Sequence, residues 1–213
     1  MSYALNEVEA LAKRAVRGAG MSWGTAEEAA KATCWLCRNR IDGAGVLSAL
    51  LRQNAGKGEQ DLRPVATTGL WQTADGGPLC PLLSGATLSD CAVALKDAPI
   101  TMRNLSFPLL LLPFLASAAA QLGCTLTLEC DAGAGSTDGN ELALSGEGFL
   151  QVKSADVVIR IGDFSGKTLS QDSRATPAPE AWDTLNTYAH KTYAPATEAS
   201  RLAGAGAGLS DND

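Results

Sequence analysis

The hydrophobic period of the chain changes once, and that change limits the folds open to it. Up to about residue 53, apolar side chains recur at three- and four-residue intervals, the spacing of one helix face. Val8, Leu11, Ala12, Ala15 and Val16 mark a first helix, with Asn6 and Glu9 as a capping box and Gly18 and Gly20 as its stop. A second helix is expected from Thr25, with Glu28 three places on, through Ala29, Ala30, Trp35 and Leu36 to about Arg40. Asp42-Gly-Ala-Gly45 interrupts it, and Val46 to Gln53 forms a third, short helix. Helices joined by such short connections pack on one another.

Beyond a polar, glycine-containing stretch at 54–60, the pattern changes. Pro64, Gly69, Gly76-Gly77-Pro78, Pro81 and Gly85 punctuate short apolar pieces. Residues 61–104 therefore read as strands and turns, with one short helix from Thr87 to Leu95. Leu109 to Gly123 reads as a buried helix with Pro113 near its start, and Ala116 to Ala120 allow close approach by another element. Cys124 to Cys130 alternates as a strand does, 131–140 is a glycine loop, and Glu141–Ser145 and Asp156–Ile161 are further strands. Pro179 opens a last helix through Trp182, Leu185 and Tyr188 to about Thr192. Strands and helices do not alternate regularly, so a doubly wound nucleotide-binding sheet is not expected. The expected class is α+β: a helical module over 1–54, then a mixed, mainly antiparallel sheet with packed helices over 61–213, together one compact unit.

Net charge is −6, so a general nucleic-acid or anionic-membrane surface is not expected. The longest apolar run, Phe107 to Ala120, is shorter than the roughly 20 residues a bilayer span needs. The opening Met-Ser-Tyr-Ala-Leu-Asn-Glu lacks the basic and apolar regions of a secretory signal. A cytoplasmic protein with six free thiols is expected.

Chemistry concentrates at the C-terminus. Gly204, Gly206 and Gly208 permit a turn whose amides form an anion nest. Arg201 adds a charged fork, and Ser210 and Asp211 add selectivity. Asp211, Asp213 and the terminal carboxylate would equally suit a hard cation, and a polar tail is the plain alternative. A similar string, Ala132 to Asn140, reads as a chance echo in a chain rich in glycine and alanine. Cys34 and Cys37 form a C-x-x-C pair deep in a helix. Without two further ligands or a helix N-terminus they read as core thiols, not a zinc or redox site. His190, the sole histidine, is the candidate proton carrier beside Tyr188, Lys191 and Tyr193; a surface or capping role is the alternative. Asp131, Asp138, Glu141 and Glu147 surround the 131–140 loop as turn residues or an acid–base pair. Trp23, Trp71 and Trp182 are core or pocket lining.

Leu5 to Ala30, with Tyr193 to Arg201 and the closing Gly-Ala-Gly-Ala-Gly-Leu-Ser-Asp-Asn-Asp, resembles an uncharacterised bacterial family, domain of unknown function 3726, over essentially the whole chain. That resemblance implies no catalytic residues. The first 51 residues are also similar to the helical N-terminus of the malate/L-lactate dehydrogenases that lack a Rossmann fold. There a Ser-His-Gly turn carries a catalytic histidine; here the comparable turn reads Arg40-Ile-Asp-Gly-Ala-Gly-Val46. The functional expectation is binding of a small anionic ligand through the C-terminal segment, without cofactor or metal. The alternatives are a metabolic enzyme using His190 or a carboxylate, and a non-catalytic accessory subunit. A homo-oligomer or a protein partner is compatible with each.

Overall fold

The structure, a computed structural model, describes residues 1–193. In chain order these form β1 (Tyr3–Ala4), α1 (Leu5–Gly18), α2 (Trp23–Arg38), α3 (Gly43–Gln53), α4 (Glu59–Leu62), β2 (Leu70–Trp71), α5 (Pro81–Cys91), β3 (Ile100–Ser106), α6 (Leu112–Leu122), β4 (Leu126–Cys130), β5 (Gly133–Thr137), β6 (Leu142–Ser145), β7 (Ser154–Ile161), β8 (Lys167–Thr168), β9 (Arg174–Ala175) and α7 (Pro179–His190). The class is α+β. A seven-stranded sheet runs β2-β3-β7-β4-β5-β6-β8, antiparallel throughout except for the β2–β3 pair, and β1 pairs with β9 in a separate two-stranded ribbon.

The helices start where their caps dictate. α1 begins at Leu5, because the Glu7 carboxylate accepts the Ala4 amide at 2.6 Å; the expected Asn6–Glu9 box does not form. α2 begins at Trp23 rather than Thr25, with the Ser22 hydroxyl accepting the Thr25 amide. The Asp42-Gly-Ala-Gly45 break is itself a helix start: Asp42 caps α3 by accepting the Gly45 amide at 2.9 Å.

Between residues 61 and 104 a full helix, α5, and the seven-residue strand β3 replace the expected short strands and turns. Pro81 sits in the first turn of α5, where its missing N–H costs nothing, and a 3₁₀ segment, Ala92–Lys96, continues from its end. β3 escapes simple alternation because Asn104 takes a left-handed conformation (φ 52°) at a bulge against β7. The 131–140 loop also contains a strand, β5, whose glycines fit a crowded position: a Cβ at Gly135 would lie 2.7 Å from Leu112.

α6 lies on the sheet face against β4 and β5, and α2 touches both α5 and α6. The alanine stretch does permit close approach, since Gly139 sits directly on Ala120. α7 returns to pack on α1 and α3, so the last described helix closes the N-terminal group. One continuous apolar core joins helices and sheet. A small second cluster (Val8, Cys37 and Ala175, flanked by Tyr3, Leu5 and Trp182) lies under the β1–β9 ribbon.

Candidate functional site

Two residues of that second cluster, Cys37 and Ala175, line a cavity of about 230 Å³ between the α2–α3 turn and the segment 172–177. Cys37 and Ile41 line one wall with Arg40 and Asp42; Asp172, Arg174, Ala175 and Pro177 line the other. The two walls are tied together: the Asp172 amide donates to the Arg38 carbonyl at 2.7 Å, and Arg40 Nη2 reaches Asp172 Oδ2 at 3.3 Å. Asp172 Oδ1 accepts the Arg174 amide at 3.2 Å.

Arg40 is held unusually. Its φ of 59° puts it in the left-handed region, which costs a residue bearing a Cβ roughly 1–2 kcal/mol. Apart from Asp172, its guanidinium has no hydrogen-bonding partner among the described residues. Arg174 is oriented by the N-terminal ribbon: Nε donates to the Ser2 hydroxyl at 2.7 Å and Nη2 to the Ser2 carbonyl at 2.8 Å. The ribbon is weighted by Tyr3, which stacks on Trp182 at 3.7 Å between ring centroids. Arg174 Nη1 has no partner among the described residues. Arg38 lies beside Asp172 in an adjoining groove. Three arginines thus meet two aspartates in a chain whose net charge is −6.

Cys37 lies in the last turn of α2, with its thiol facing the Gly43 and Ala44 amides at the start of α3. Burial pushes its thiol up to about 11 in spite of the Ala44 and Gly43 amides that act against it. Burial raises Cys34 as well, so it favours the protonated thiol at both residues. All six cysteines are free.

His190 ends α7 with an exposed ring, edge-on to Tyr193 at 5.3 Å, and accepts or donates no side-chain hydrogen bond among the described residues. Arg201, Gly204, Gly206, Gly208, Ser210 and Asp211 lie outside the described residues, as does Asp213. Asp138 is a turn residue: the Glu141 and Asn140 amides donate to it at 2.8 Å each and hold its carboxyl below the usual range. Trp71 is buried core, while Trp23 is exposed with the Arg17 guanidinium 4.8 Å from its ring. Among the described residues no group of three metal-ligating side chains converges, and no helix is long and apolar enough to cross a membrane.

Residues 3–80 match the family described as "Protein of unknown function (DUF3726)". The match spans α1 to α4 and β2, including the turn with Arg40, and stops short of Asp172 and Arg174. No curated protein matches the chain. A solved structure, "Crystal structure of malate dehydrogenase from Entamoeba histolytica", is similar at 11% identity with a TM-score of 0.45. The alignment covers 78% of this chain and 50% of that one, so this chain spans about half that protein's length.

Proposed function

We propose that the protein binds a small anionic molecule in the cavity between the α2–α3 turn and residues 172–177. One observation carries this reading: Arg40 stands in a left-handed backbone conformation on one wall, opposite Arg174, and both guanidinium groups retain unpaired donors among the described residues. Planar guanidinium forks suit carboxylates and phosphates. At about 230 Å³, the cavity is smaller than the usual range for drug-sized ligands, roughly 300–1,000 Å³, and favours a compact metabolite. The free thiols, three of them buried, support a reducing, cytoplasmic setting.

The test is thermal unfolding of the purified protein with phosphate, sulfate, acetate and butyrate. Binding raises the midpoint, and Arg40→Ala or Arg174→Ala removes most of the rise. An undiminished rise in both variants would exclude this cavity. The C-terminal glycine run with Arg201 suits the same class of ligand, so Arg201→Ala belongs in the series. Loss of the rise in that variant alone would place the site at the C-terminus.

A further inference from the structure

The charges around the cavity are not those of a plain anion site. Arg40 and Arg174 supply two positive charges, and Asp42 and Asp172 supply two negative ones. Asp172 is spent on Arg40 and on the Arg174 amide. Asp42 is spent only in part: Oδ1 accepts the Gly45 amide as the cap of α3, and Oδ2, lying over Gly45, has no hydrogen-bond partner among the described residues. The lining therefore brings guanidinium groups with unpaired donors and a carboxylate with one unpaired oxygen to one small space. A simple anion held there by the two arginines also lies near the Asp42 carboxylate, whose repulsion opposes their attraction. A ligand that carries its own cationic donor next to its carboxylate satisfies both. The remaining lining, with Ile41, Ala175 and Pro177 among it, offers apolar contact to a short carbon chain.

We infer that the ligand is a small zwitterion of the amino-acid type, its carboxylate on Arg40 and Arg174 and its ammonium on Asp42. This rests on the anion-binding reading above and narrows it.

Three molecules sharing one propyl chain test it: L-2-aminobutyrate, butyrate and propylammonium, titrated against the full chain with the Arg40 and Ala175 amide resonances as reporters. L-2-aminobutyrate binds at least tenfold more tightly than either of the others. Asp42→Asn keeps the helix cap, because asparagine caps as well as aspartate, and reduces the preference over butyrate to less than threefold. Butyrate binding as tightly as L-2-aminobutyrate would overturn the zwitterion and leave the anion reading standing. An unchanged preference in Asp42→Asn would overturn the place given to the ammonium. If none of the three shifts these resonances and phosphate does not either, the anion reading fails and takes this inference with it.

Discussion

The turn that leaves α1 and the turn that leaves α2 are built alike, twenty residues apart. In the first, the Gly20 amide donates to the Arg17 carbonyl at 2.9 Å and the Met21 amide to the Val16 carbonyl at 3.3 Å. In the second, the Arg40 amide donates to Cys37 and the Ile41 amide to Leu36, both at 3.0 Å. These bonds satisfy the carbonyls that a helix leaves unpaired at its end. Met21 and Ile41 are then buried, and the next residue, Ser22 or Asp42, caps the following helix. The left-handed position is where the two differ. Gly20 has a φ of 98° and no Cβ to strain; Arg40 has a φ of 59° and pays for its Cβ. Local hydrogen bonding would be served equally well by glycine. What arginine adds is a guanidinium at Asp172 and at the cavity, so strain is carried where binding is proposed.

The comparison breaks most severely just beyond the second turn. The first turn leads into exposed Trp23, the second into buried Gly43. A Cβ at Gly43 would lie 2.6 Å from the Thr33 carbonyl and 3.0 Å from the Leu36 Cβ, both on the fixed body of α2. Gly43→Ala should therefore force α3 away from α2 and cost about 3 kcal/mol, measured by urea unfolding. A loss under about 0.5 kcal/mol would show that the α2–α3 packing is far looser than this contact implies.

Next in size is the pH response of the thiol behind the second turn. Cys37 is raised to about 11 when folded, against 9.0 for an unperturbed cysteine. The stability it contributes is complete below the lower value. It is lost as pH rises through the window between the two, where the unfolded chain ionises first. The loss approaches about 3 kcal/mol by the top of that window. Cys80, fully buried on the core side and likewise pushed up to about 11, adds a similar term. Cys37→Ala should flatten the alkaline fall in unfolding free energy by up to about half, the rest belonging to Cys80 and to Cys34, which burial raises in the same direction. An unchanged slope would show that Cys37 ionises without unfolding.

The parallel also explains how much could be read from the chain. The helical period was legible because each helix buries one face in a common core, and Asp156 to Ile161 was legible as a strand because neighbouring strands enclose it on both sides. Helix starts are hard to place because caps act through one side chain: Ser22 and Glu7 carry no periodic signal, and Asp42-Gly reads as a break although it caps α3. β3 was hidden by its bulge at Asn104, and β5 by glycines that resemble a loop. The cavity left almost no trace in the sequence. Arg40 and Asp172 lie far apart along the chain, and Arg174 gains its place only through Ser2. The available signal was the arginine in a Leu-Cys-Arg-Asn-Arg-Ile-Asp turn at the position where the preceding turn has glycine. The C-terminal candidates drew attention by composition, and His190 by being the sole histidine; neither criterion senses which residues meet in space.

The smallest effect is the sharpest test of the parallel itself. If the two turns share a backbone and differ only in what the left-handed residue does, exchanging that residue should separate stability from binding. Arg40→Gly relieves the Cβ and should raise stability by up to about 1 kcal/mol, since the Arg40–Asp172 pair it removes is solvent-exposed and worth little. Gly20→Ala introduces the same strain in the first turn, with open space around the new Cβ, and should lower stability by about 1 kcal/mol. Anion binding should vanish in Arg40→Gly and persist in Gly20→Ala. Should Arg40→Gly instead destabilise the fold by more than about 1 kcal/mol, the arginine would be a structural tie between α2 and the 172–177 segment, and its strained backbone would need no ligand to account for it.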